Sequence, residues 1–179
     1  MSNRTNAANA AGVRRVGTVE AEIERAREDG NWKRVIELAE RLRDRSDKQF
    51  ETLGCFLIGE GKLEDFLEEN PPKDTNFARD KLGLAEAKHF LSKTIGDEAK
   101  KLGVHLDSYI LLGKVHFAMG MFNDALKFYE RAQLDTLEEK HLPPRSLKIM
   151  AEAFAIKGTT PPPTHSKRDR IHLILFCMV

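Results

Sequence analysis

The tetrapeptide Gly59-Glu60-Gly61-Lys62 is where nucleotide chemistry would first be sought, because glycines beside a lysine can expose backbone amides to a phosphate. A phosphate loop also needs a glycine five residues before its Gly-Lys pair and a hydroxyl directly after it. Those places hold Phe56 and Leu63. The tetrapeptide therefore reads as a turn between two helices, with Gly61 as the turning residue.

Of the six histidines, none forms an HExxH motif or an i,i+4 ligand pair. His116 stands between Val115 and Phe117 and is expected to pack within a helix rather than to ligate. Cys55, among Leu53, Phe56 and Leu57, is expected to be buried and inert, since no electropositive neighbourhood lowers its thiol pKa. Cys55 and Cys177 lie far apart and outside any CxxC pair, which suits a reducing compartment and offers no zinc site. The carboxylates alternate with Lys and Arg, the pattern of solvated helix faces. No Ser-His-Asp or Cys-His arrangement emerges, so the expectation is a non-enzyme without cofactor or metal.

The elements that must position these residues are read from the totals and the punctuation. With 179 residues, 41% hydrophobic and 32% charged, the chain has the balance of a charge-rich helical protein. A net charge of +1 gives no basic surface for nucleic acid. Residues 1–17 lack a signal-peptide core and are expected to form a flexible arm. The longest apolar run, Ile171 to Val179, is far short of the roughly 20 residues of a spanning helix. A cytosolic protein is expected. Lys167, Arg168 and Arg170 before that run make only a weak membrane signal; the run is read as partial cover for the helix Pro144 to Lys157 or as disordered, and in addition as an aggregation liability.

All seven prolines fall at 71–72, 143–144 and 161–163, leaving the intervening segments free to be helical. Thr18 is read as the N-cap of a helix over Val19 to Asp29 that ends at Gly30, and Asn31 as the cap of the next, with Trp32, Val35, Ile36, Ala39 and Leu42 at helical spacing. Asp47 to Glu60 and a stripe of Leu63, Phe66 and Leu67 are expected as a second pair about Gly61. Leu84, Ala87, His89, Leu91 and Ile95 mark a further helix. Leu106, Ile110, Gly113 and Phe117 then precede Gly120 and a partner carrying Phe122, Ala125, Leu126, Tyr129 and Ala132. Aligned on Gly30, Gly61 and Gly120, the three segments repeat a large apolar residue two places on and an apolar pair five and six on.

The stretch from Leu106 to Ala132 resembles a tetratricopeptide repeat. Tyr109 takes its first aromatic place, Leu112-Gly113 its pair, Gly120 its turn, Phe122, Ala125 and Tyr129 its packing face, and Ala132 its close contact. His116 stands where a tyrosine is usual and Leu137 where a proline is. A second copy starts at Pro144, with Leu147, Met150-Ala151, Phe154 and Gly158 in first-helix and turn places, but Thr160 and Pro163 break its second helix. Four segments in order, over Val19 to Gly158, are similar to the N-terminal region of the tetratricopeptide repeat protein seven family. The chain thus resembles a truncated form, with an array over 18–158 and an unrelated tail over 159–179 whose origin is read as a splice variant or read-through end.

The expected fold is all-α: about seven helices in two or three hairpins stacked as a degenerate, right-handed solenoid fragment. Its concave groove is expected to present Asp107, Ile110, Lys114 and Phe117. The resemblance implies a non-catalytic scaffold of the type III alpha phosphatidylinositol 4-kinase, working with a hyccin-type subunit and a lipidated anchor protein at the plasma membrane in phosphoinositide synthesis. The alternative is a peptide-binding module of the chaperone-adaptor kind, which clamps a C-terminal carboxylate with basic side chains. Only Lys114 is placed for that role.

Overall fold

Three left-handed glycines define the bends of the chain. Gly30 (φ +69°), Gly103 (φ +75°) and Gly120 (φ +73°) each follow a helix end and close it in the same way. At Gly120, the Met121 amide donates to the His116 carbonyl at 2.8 Å and the Gly120 amide to that of Phe117 at 2.8 Å. Asn31 and Val104 repeat this bond after Gly30 and Gly103, donating to Ala26 and Ala99. This double bond satisfies otherwise orphaned carbonyls and requires a residue that adopts positive φ without strain, hence glycine.

The computed structural model describes residues 19–45, 47–71, 81–134 and 144–159. Its helices are α1 (19–28), α2 (Trp32–Arg43), α3 (Lys48–Glu69), α4 (Lys81–Ser92), α5 (Asp97–Lys101), α6 (His105–Ala118), α7 (Phe122–Arg131) and α8 (Pro144–Thr159). No strand occurs among the described residues, so the all-α expectation holds. Asn31 caps α2, its side chain accepting from the Arg34 amide at 3.1 Å. The Thr18 cap, Leu137, His141, His165, His172, Cys177 and the basic and apolar parts of the tail lie outside the described residues.

Helix α3 overturns one expectation. It runs unbroken for 22 residues, about 33 Å at 1.5 Å per residue, through Gly61 where a turn was expected. Gly61 acts as a notch: a Cβ there would lie 2.8 Å from Ile36 of α2. Gly59 is a notch toward Leu91 of α4, and Gly54 one toward Arg43 of α2. Each glycine costs up to about 1 kcal/mol of helix propensity, and close approach of α2 and α4 offsets it. So α3 is enclosed on several sides, while α2 and α7 bury a single stripe each and form the outside.

Helix α4 packs between α3 and α6 through Leu84, Ala87 and Leu91, with His89 exposed rather than inward. Helix α5, which the periodicity did not reveal, buries only Ala99. Between α4 and α6 the buried Thr94 and Ser108 hydroxyls form a hydrogen bond of 2.7 Å, in which one donates to the other while the second donates to the carbonyl of its own segment, Leu91 for Thr94 or Val104 for Ser108.

The α6/α7 pair is closely packed. Leu112, Ala125, Tyr129 and Ala132 are buried there, and Phe122 packs edge-on against Phe117 at 5.5 Å. A Cβ on Gly113 would sit 2.7 Å from Cδ1 and Cζ of Tyr129 and closer still to Cε1. On α8 the inward residues are Ile149 and Ala153, with Phe154 half-buried; Ala151 is exposed and Gly158 lies exposed within the helix instead of making a turn. Those two repeat-packing assignments are therefore corrected. The stripe was misread because Arg145 and Glu152 share the inward face of α8, and charged residues hide it from a hydrophobic pattern.

Gly113→Ala is expected to lower stability by about 1–3 kcal/mol, because the buried Tyr129 ring blocks the added methyl. Gly158→Ala, with nothing within 4 Å of its Cβ, should instead gain up to about 1 kcal/mol from helix propensity. Urea denaturation of the two variants checks both signs.

Candidate functional site

Glu60 is fully buried, and its environment is built by three helices. Its position on α3, four residues after Phe56 and three before Leu63, puts it on a face that is otherwise apolar. Arg145 at the start of α8 donates from Nε to Glu60 Oε1 at 2.7 Å and has Nη2 at 2.6 Å from the same oxygen. Arg27 of α1 donates from Nη2 to Oε1 at 3.2 Å, and its Nε lies 3.0 Å from Oε2 at an angle that makes the contact Coulombic rather than a hydrogen bond. The Arg145 guanidinium also lies over the Trp32 ring, 5.1 Å from its centroid, and the indole N–H of Trp32 donates to Glu68 at 3.2 Å.

The cluster continues along α3. Lys114 of α6 donates to Glu64 at 2.8 Å and to Glu152 of α8 at 2.7 Å. Burial alone would pull the Lys114 ammonium below its ordinary range, but the charges of Glu64 and Glu152 outweigh it and hold the pKa above that range. Arg27 follows the same logic: burial opposes its charge, while Glu60 and Glu24 more than restore it. Desolvated charges contribute stability only when well paired, so removing one partner is expensive.

These placements correct the expected groove. Ile110 and Phe117 are core residues, Lys114 is engaged by two carboxylates, and Asp107 accepts from Ser146 of α8 at 2.9 Å. The face of α6 read as an open groove is covered by α3 and α8. Sequence reading singled out neither Arg27 nor Arg145, and met Glu60 only inside the glycine-lysine motif. The available signal was a carboxylate between two glycines on the apolar side of a helix.

Other candidate groups are also accounted for. Gly59 to Lys62 is helical, leaving no loop amides for a phosphate, and Lys62 pairs with Glu86 at 2.7 Å. His116 is buried with Nδ1 2.8 Å from the Leu112 carbonyl and its ring stacked on Phe128 at 4.6 Å; burial pulls its pKa down. Burial pushes the Cys55 thiol up, away from a reactive thiolate. Among the described residues no group of three or more His, Cys, Asp and Glu could hold a metal ion, and no helix is long and apolar enough to cross a membrane.

Beside the charged cluster, α1, α3, the α5–α6 bend and α8 enclose a cleft of about 350 Å³. Leu53, Leu102 and Val104 supply its partly exposed apolar floor, while Glu20, Glu24 and Asp107 line it with Arg27 and Arg145. Burial raises the Asp107 pKa above the ordinary carboxylate range, a shift only partly opposed by the Ser146 hydroxyl.

Glu60→Gln should cost about 3–5 kcal/mol, because it weakens the pairing of two buried guanidinium groups. Glu86→Gln, at an exposed pair, should change little; chemical denaturation distinguishes the two. For Asp107 the folded-state pKa is the higher one, so its contribution is present below the unfolded value of about 3.9 and is lost as pH rises through the folded value. The stability gained by Asp107→Asn should therefore be larger at about pH 7 than at about pH 4, as measured by thermal melts at both.

Comparison with known proteins agrees with this architecture. The family described as "Tetratricopeptide repeat protein 7 N-terminal" matches residues 8–162. Human Tetratricopeptide repeat protein 7A is 28% identical over 161 residues, covering 78% of this chain and 19% of that protein. Human Tetratricopeptide repeat protein 7B is 32% identical over 141 residues, covering 78% and 17%, and its mouse counterpart is 31% identical over 148 residues, covering 82% and 17%. The chain thus spans less than a fifth of the length of the curated relatives it matches. No solved structure matches it. With helical hairpins bent at left-handed glycines and a family match over most of its length, the chain belongs to the tetratricopeptide repeat protein 7 N-terminal family.

Proposed function

We propose that the chain is a non-catalytic docking scaffold of the plasma-membrane phosphatidylinositol 4-kinase assembly. It works with the type III alpha kinase, a hyccin-type subunit and a lipidated anchor protein, and so supports phosphoinositide synthesis. It resides in the cytoplasm and reaches the membrane through these partners. The supporting observation is where the buried charge goes: Arg27, Glu60, Glu64, Lys114, Arg145 and Glu152 all join one helix to another. Polar interior chemistry is spent on holding a shape, which suits a surface for partners. The choice of these partners rests on the resemblance to the family and is part of the proposal.

The carboxylate-clamp alternative loses its one placed cation, since Lys114 is already held by Glu64 and Glu152. Co-precipitation from cell lysate tests the assignment. The tagged chain should recover the kinase; a clean negative beside a positive from a full-length relative overturns it.

A further inference from the structure

The cleft beside the charged cluster has an imbalance that the fold does not use. Its two cations are both spent inward: Arg27 pairs with Glu24 at 2.7 Å and with Glu60, and Arg145 with Glu60. Among the described residues no cation forms a salt bridge to Glu20 or to Asp107. Asp107 is the costlier of the two, because it is largely withdrawn from water, and the Ser146 hydroxyl with the more distant charges of Arg27 and Arg145 offsets that burial only in part. A desolvated carboxylate beside an apolar floor, on a cleft large enough for side chains, is the arrangement expected where a cation arrives from outside.

We propose that this cleft docks a short segment of a partner protein in which a Lys or Arg stands beside large aliphatic residues. The aliphatic side chains lie against Leu53, Leu102 and Val104, the partly exposed apolar residues of the lining, and the basic group is held between Asp107 and Glu20. Charge complementarity selects this occupant. An acidic segment or an anionic lipid headgroup would meet Glu20, Glu24 and Asp107 in the same lining and be repelled. The cleft is small, near the lower end of the roughly 300–1,000 Å³ typical of ligand pockets, so it reads a few side chains and not a folded domain.

The inference rests on the docking role proposed above but not on the kinase as partner. Fluorescence anisotropy with the full chain tests it, using a labelled peptide with a Leu-Lys-Arg-Leu core between Gly and Ser residues. Saturable binding is expected, weakened about tenfold by Asp107→Asn and by Glu20→Gln, since each removes one charge-assisted contact. Glu20 is exposed, so its variant folds independently of any strain at Asp107, and circular dichroism melts verify both. The proposal is overturned if a peptide with Glu in place of Lys and Arg binds equally, if neither variant weakens binding, or if binding occurs only after residues 1–17 are removed. Peptide binding without kinase recovery would reject the kinase assignment alone, and kinase recovery without peptide binding would reject the cleft alone.

Discussion

The ion pairs that tie the first and last described helices to α3 converge on the carboxylate of Glu60. It sits at the middle of the longest helix, is out of contact with water, and is held by guanidinium groups from the first and last described helices. An isolated carboxylate in such a place would neutralise or unfold its surroundings. Two arginines make the burial tolerable, and in doing so tie α1 and α8 to α3. The ion cluster is thus a positional constraint first: it specifies where three helices meet, at a cost in desolvation that an apolar trio of similar volume would avoid.

Around that constraint the helices divide by role. Helix α3 is approached on several sides and uses Gly54, Gly59 and Gly61 to let neighbours in. Helix α6 is the second enclosed element, giving Gly113 to Tyr129 and Lys114 to two carboxylates. Helices α2 and α7 are amphipathic covers, which is why their apolar stripes are so clear. The last helix is attached by polar contacts of Arg145, Ser146 and Glu152 as well as by the buried Ile149 and Ala153. Polar attachment of this kind makes its docking geometry specific, because every pair must find its own partner.

The same distribution of charge explains why the concave face is not an open groove in this chain. Of the residues expected to greet a ligand, Asp107 and Lys114 instead engage α8 and α3, while Ile110 and Phe117 are buried in the core. What remains accessible is the smaller cleft beside them, where carboxylates outnumber unpaired cations. Function in a repeat array of this sort lies in the shape and charge of such leftover surfaces, since the reactive side chains have been committed to packing.

The sequence by itself determined the helical class, the bends at Gly30 and Gly120, the Asn31 cap and the Gly113, Ala125 and Tyr129 packing types. All of these depend on backbone preferences or on periodicity within a few residues. Tertiary structure alone decided that Gly61 is a notch in a continuous helix, that α8 turns Ile149 and Ala153 inward rather than Ala151, and that Glu60 is buried. The reason is distance along the chain: the partners that make Glu60 tolerable lie 33 and 85 residues away. A glycine is compatible with a turn and with a close contact alike, and a glutamate with a wet face or a paired interior. Only the arrival of α1, α2, α4 and α8 around α3 chooses between them.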